Sequence, residues 1–190
     1  MKKRLFLTGP DRSGKSEMIH KALGGREHRA GGFVTVRERD SQGNILGFDI
    51  AAADGSGLRG RFLEFVDGKP VPHLEVFSQV GTRLLRQAGN RPYAVLDELG
   101  GVELLDDGFL HALVNLLRGD TPCIGVLEKP GPAGKAVGMM GLNLRYELAR
   151  RVLEDHLRED PDTLVLQTTG KDDQEVLAQV EAWVAEYTQE

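Results

Sequence analysis

Short, unbroken apolar runs alternate with amphipathic stretches along this chain, and their order predicts strands alternating with helices. Residues 4–8 carry Leu5, Phe6 and Leu7 side by side. That run is too short for a helix and suits a strand buried on both faces. The same pattern returns at 93–96, 122–127 and 163–167. Between these runs the apolar positions fall at helical spacing. Phe77, Val80, Leu84, Leu85 and Ala88 form one stripe. Phe109, Leu110, Leu113, Leu116 and Leu117 form another, behind Asp107 as its cap. A helix is predicted over 145–157. A last one spans 173–187, with Val176, Val180, Trp183, Val184 and Tyr187 on one side. Residues 17–23 read as a helix that Gly24 and Gly25 stop. Buried strands separated by helices require right-handed crossovers and a mainly parallel sheet, an α/β fold.

Two stretches depart from this rhythm. Residues 32–39 alternate apolar and polar, 40–44 (Asp-Ser-Gln-Gly-Asn) form a turn, and 45–50 answer as a second strand, with a third expected near 61–65. This predicts a hairpin that extends one edge of the sheet in antiparallel fashion. Residues 128–141 hold four glycines, two prolines and two lysines without periodicity. They leave a strand at the end where such sheets bind ligands. The stretch reads equally as a lid or base-binding loop and as a plain connection.

A chain of 190 residues is enough for one domain with a full core, so 1–190 is expected to be a single unit. The net charge of −5 gives no indication of nucleic-acid binding or attraction to an anionic membrane. The charge is uneven: from Glu154 onward there are 11 acidic and 2 basic residues, which reads as a solvated acidic helical face. The lone Cys123 lies in an apolar run, so it forms no internal disulfide and is expected to be buried and inert. No apolar run approaches a membrane span, and 5–7 is too short for a secretory leader. A cytoplasmic location is expected.

The chemistry begins where the first strand ends. Gly9-Pro10-Asp11-Arg12-Ser13-Gly14-Lys15-Ser16 matches G-x-x-x-x-G-K-S, between a strand and a helix. A phosphate chain needs many donors at close range. Gly9 and Gly14 let the backbone curl so that successive N–H groups point inward, and the helix start adds its positive dipole end. Lys15 is then expected to reach the β- and γ-phosphates and Ser16 to ligate Mg²⁺. Asp97 stands 82 residues after Lys15, at the end of a predicted buried strand, with Glu98 next to it. There Asp97 would hold Mg²⁺ opposite Ser16, and Glu98 would take a proton from an attacking water. Alone, an Asp-Glu pair after a strand is a weak signal; behind a phosphate loop it completes a site.

Three segments resemble the thermophilic-type nucleoside triphosphatases, the family that includes the vertebrate cancer-related nucleoside triphosphatase. They are the loop 8–16, the hairpin Gly32-Phe33-x-Thr35…Gly47-Phe48-Asp49-Ile50, and Asp97-Glu98-Leu99-Gly100-x-x-Glu103-Leu104. The resemblance covers about 4–127. It implies a RecA-like P-loop core and Mg²⁺-dependent hydrolysis of nucleoside triphosphates, ATP and GTP among them, with loose base preference. It also brings Gly100 and Glu103 into the binding site. The chain departs from the family at Asp11 and Glu17, at Gly101-Val102, and at Gln167-Thr168-Thr169-Gly170, where an Asn-Arg pair is usual. A cation assisting the reaction is sought among Lys129, Lys135 and Arg145. Two rivals share the phosphate loop. One is a kinase, with Arg59, Arg61, Arg83 and Arg86 as a basic acceptor surface. The other is a nucleotide-dependent switch with negligible turnover. Residues alone name no protein partner.

Overall fold

A computed structural model describes residues 1–128, Gly138, 141–170 and 172–189. Its strands are β1 (Arg4–Thr8), β2 (Gly31–Arg39), β3 (Ile45–Ala52), β4 (Arg59–Val66), β5 (Lys69–Pro72), β6 (Ala94–Leu99), β7 (Cys123–Leu127) and β8 (Thr163–Gln167). They form one sheet in the order β5-β4-β3-β2-β6-β7-β1-β8. The pairs β2–β6, β6–β7, β7–β1 and β1–β8 are parallel, while β2–β3, β3–β4 and β4–β5 are antiparallel. The expected hairpin is therefore an extension at one edge of a parallel core, and it is larger than the residues suggested. The third strand runs to Val66, and β5 adds a fourth. Pro70 and Pro72 hide β5 in the sequence, because proline reads as a breaker; at a sheet edge the missing N–H costs nothing.

The helices are α1 (Lys15–Leu23), α2 (Thr82–Ala88), α3 (Asp107–Arg118), α4 (Asn143–Glu159) and α5 (Gln174–Tyr187). The pleat sorts the core into two layers. Phe6, Phe33, Ile50 and Leu96 face α2, α3 and α4. Leu5, Leu7, Val95, Ile124 and Val126 face α1 and α5, closed by Trp183. The central runs are apolar on both faces because both faces are covered. Each buried Leu, Ile or Phe contributes about 1.5–3 kcal/mol relative to exposure. Cys123 lies in this core, where burial pushes its thiol up to about 12, as befits an inert side chain.

Two predicted helix starts are corrected. Asp106, not Asp107, caps α3: its carboxylate accepts the Phe109 N–H at 2.7 Å, while the Asp107 side chain is exposed and paired with Arg145. The cap belongs three residues before the amide it accepts, which is Asp106. The stripe from Phe77 does not begin as a regular α-helix. Phe77–Gly81 makes a π-helical turn, and Thr82 Oγ1 donates to the Phe77 carbonyl at 3.1 Å before α2 settles. Among the described residues no helix is long and apolar enough to cross a membrane.

Candidate active site

β1 delivers the chain to residues 9–14, and α1 carries it away. The backbone φ angles are +156° at Gly9, +57° at Arg12 and +79° at Gly14, so the loop reverses hand repeatedly, as a phosphate-binding nest requires. Gly9 has no substitute: a Cβ there would stand 2.5 Å from the Thr168 carbonyl oxygen. Thr168, buried, donates its own N–H to Thr8 at 2.8 Å, so the segment after β8 forms the floor of the loop. Gly14 precedes α1 and offers no side-chain cap, which leaves the first-turn amides of α1 without a side-chain acceptor. Lys15 is folded over the loop. Its ammonium donates to the carbonyls of Pro10 at 2.7 Å and Gly9 at 3.4 Å, and to Ser13 Oγ at 3.3 Å.

β6 brings the acidic half to the same place. Ser16 Oγ donates to Asp97 Oδ1 at 3.0 Å, across 81 residues of sequence. Asp97 is buried, and burial raises its pKa, opposed by the Ser16 hydrogen bond and the charges of His20 and Lys15. The nearby positive charge does not outweigh the burial of this carboxylate. A hydroxyl and a carboxylate oxygen side by side are hard donors of the kind Mg²⁺ takes while keeping most of its waters, so the residues fit that ion. Glu98 is partly exposed to the cleft. Its pKa is raised by burial and then by Asp97, with Lys15 and Arg37 pulling the other way.

The resulting cleft has a volume of about 790 Å³. It runs from loop residues Asp11 to Glu17, past Asp97 and Glu98, to Glu103 and Glu128, and on to the open face of the hairpin. Glu103 sits on a short turn, Val102–Leu105, after β6. One of its oxygens accepts the N–H groups of Gly100 at 2.7 Å and Gly101 at 2.9 Å. Burial outweighs those bonds and brings its pKa to about 7. Gly100 is turned away from the cleft: its carbonyl accepts Tyr146 Oη at 2.6 Å and Arg150 Nη1 at 3.0 Å, which pins the post-β6 turn to α4.

Of the residues singled out in the sequence, Asp11, Arg12, Ser13, Gly14, Lys15, Ser16, Asp97, Glu98 and Glu103 all border the cleft. Gly9 and Pro10 lie at the base of the loop with their carbonyls toward Lys15. Arg145 is committed to Asp107 at 2.9 Å, and Lys129 and Lys135 fall outside the described residues. The basic surface considered for an acceptor is not at the site. Arg59 and Arg61 both hold Asp49, Arg59 also holds Glu38, and Arg83 and Arg86 lie around a separate depression. Arg37, Arg39, Phe48 and Phe62 also border the cleft and were not legible as site residues. The period-2 pattern places Arg37 and Arg39 on one face of β2, but only the cross-strand register shows that this face looks at the loop.

The family profile described as NTPase matches residues 4–139, which contain both the loop and the Asp97-Glu98 segment. This chain belongs to that NTPase family. A human relative, the cancer-related nucleoside-triphosphatase of Homo sapiens, is 34% identical, over 74% of this chain and 82% of the relative. The nucleoside-triphosphatase THEP1 of Thermofilum pendens is 29% identical, over 73% and 81%. The solution structure of a human cancer-related nucleoside triphosphatase superposes with a TM-score of 0.64 and 25% identity, covering 96% of this chain and 97% of that one. The NTPase fold thus extends through α4, β8 and α5, beyond the stretch where the sequence resemblance is good.

Proposed function

We propose that the chain hydrolyses nucleoside 5′-triphosphates, ATP and GTP among them, to the diphosphate and phosphate in a Mg²⁺-dependent reaction. The observation that carries this reading is the Ser16–Asp97 contact at 3.0 Å, with Lys15 on one side and Glu98 on the other. Bound Mg²⁺ would screen the phosphate charge, with Ser16 and Asp97 as its protein ligands. The loop amides and Lys15 bind and orient the triphosphate. Glu98 orients the attacking water and accepts its proton; its raised pKa brings it closer to neutrality, where a general base works best. The pairing of Arg59 and Arg61 with Asp49 counts against a phosphoryl acceptor held by that surface. The names of the relatives, nucleoside-triphosphatases both, support a nucleotide as the ligand of one unit spanning 1–190.

The test is phosphate release from ATP, GTP, CTP and UTP with Mg²⁺ and no added acceptor. Stoichiometric diphosphate and phosphate are expected from more than one nucleotide. Release only when an acceptor is supplied would identify a kinase. Tight binding without release would identify a switch.

A further inference from the structure

Arg37 stands on β2 at a place that loop and strand motifs do not reveal. β2 pairs in parallel with β6, and Val34 lies opposite Asp97. Arg37 is three residues further on, so it lies about 10 Å beyond the Asp97 level, toward the ligand side of the sheet. Its side chain borders the same cleft as the loop, Asp97 and Glu98. β3 fixes its position: Arg37 is directly opposite Phe48, and its guanidinium lies 5.5 Å from the centre of the Phe48 ring. Such stacking engages the flat face of a guanidinium and leaves its N–H groups free in the plane, where they suit phosphate oxygens.

Most other guanidinium groups near the site are held by protein partners. Arg39 donates to the Gly43 carbonyl at 2.5 Å, in the hairpin turn. Arg59 and Arg61 are held by Asp49, and Arg150 by Glu154, Gly100 and Glu128. Arg12, which also borders the cleft, belongs to the phosphate loop itself and not to the hairpin wall. Among the described residues Arg37 has no carboxylate or carbonyl partner, which is the condition of a cation available to a ligand.

We propose that Arg37 is a catalytic residue of this site: its guanidinium contacts the γ-phosphate from the hairpin side and neutralises charge on its outer oxygens as it transfers, with Phe48 as the residue that positions it. The proposal rests on the triphosphatase reading above. In the reaction the water oxygen bonds to the γ-phosphorus, the bond to the β–γ bridging oxygen breaks, its electron pair leaves with the diphosphate, and the water proton passes to Glu98. Arg37 forms no covalent bond; it lowers the energy of the charge distribution between these states. The Arg37 charge is close enough to Glu98 to oppose the rise in its pKa, which burial and Asp97 cause. A cation supplied from the hairpin also explains why a hydrolase with no acceptor to hold keeps an arginine-bearing, aromatic wall facing its phosphate loop.

The test compares wild type with Arg37→Ala, Arg37→Gln, Arg37→Lys and Phe48→Leu, in two assays. The first is steady-state phosphate release with Mg²⁺. The second needs no turnover: affinity for ADP with Mg²⁺, with and without aluminium fluoride, a planar stand-in for the phosphoryl group in transfer. Arg37→Ala and Arg37→Gln should lose about 10²–10³-fold in kcat with KM within about threefold, the scale of one lost charge-stabilising donor. They should bind ADP like wild type but lose the gain in affinity that fluoride gives. Arg37→Lys should recover part of both, and Phe48→Leu should lower kcat less than Arg37→Ala. Arg37 is exposed, so its variants are expected to fold. A kcat loss below about fivefold with the fluoride gain intact overturns the proposal while leaving hydrolysis standing. No phosphate release by wild type, but an Arg37-dependent fluoride gain, overturns hydrolysis and sustains the Arg37 contact. Absence of both in wild type overturns both.

Discussion

Asp97 and Lys15 are the two residues in which environment and chemistry are most tightly joined. Asp97 is a buried carboxylate whose hydrogen-bond donor, among the described residues, is the Ser16 hydroxyl. Its ionised form is therefore costly until a cation shares the site. Asp97→Asn should remove the Mg²⁺-dependent part of nucleotide affinity and leave a weak, metal-independent remainder. Titration calorimetry with and without Mg²⁺ checks this; an unchanged Mg²⁺ effect would exclude Asp97 as a ligand. Lys15 is expected to reach the β- and γ-phosphates, and here its ammonium is bonded to Pro10, Gly9 and Ser13. Lys15→Ala should abolish triphosphate binding and also loosen the loop, with the sheet core intact because none of its core contacts involves Lys15. Circular dichroism unchanged beside lost binding is the expected pair of results. At this scale the loop and the Asp97-Glu98 pair were legible because each has a fixed local spacing. Arg37 and Phe48 were not, since their place depends on pairing between strands.

Among the elements, the turn after β6 joins the site to the fold. Glu103 holds the Gly100 and Gly101 amides, and α4 holds the Gly100 carbonyl through Tyr146 and Arg150. Burial raises the Glu103 pKa from 4.5 to about 7. Between those values the unfolded chain releases the proton while the folded chain keeps it. The stability linked to protonated Glu103 is thus full below about pH 4.5 and falls as pH rises through 7. Glu103→Gln keeps an acceptor for the two amides and cannot ionise. Chemical denaturation from pH 5 to 8 should show wild type losing stability relative to this variant as pH rises, and a difference independent of pH would contradict the assignment. Asp106→Ala should cost about 1 kcal/mol through the lost α3 cap, whereas Asp107→Ala should change little. The regular elements were legible from apolar spacing. The irregular ones were not: β5 hides behind its prolines, and the π-helical turn at Phe77–Gly81 keeps the same apolar stripe as an α-helix. Gly32 shows the same limit. Its φ of +88° and a Cβ position 2.1 Å from the Val95 carbonyl make glycine necessary there, for a reason that exists only once β2 lies against β6.

At the scale of the whole molecule, the parallel half of the sheet builds the phosphate and acidic sides of the site, and the antiparallel extension supplies the facing wall. Each half lacks what the other provides. That complementarity predicts that EDTA stops phosphate release and that added Mg²⁺ restores it, since the cleft itself gathers Asp97, Glu98, Glu103 and Glu128 around a place for an anionic ligand. Full activity in EDTA would contradict the shared Ser16–Asp97 site. Glu98 is the residue proposed to turn a binding cleft into a hydrolytic one, and the most direct test is Glu98→Gln assayed for turnover and nucleotide affinity together. The amide keeps size and hydrogen bonding but cannot accept the water proton, so kcat should fall by about 10²–10⁴-fold. Affinity should be retained or tightened, because a negative charge beside the triphosphate is removed. A loss of kcat below about tenfold with affinity retained would show that Glu98 is not the base.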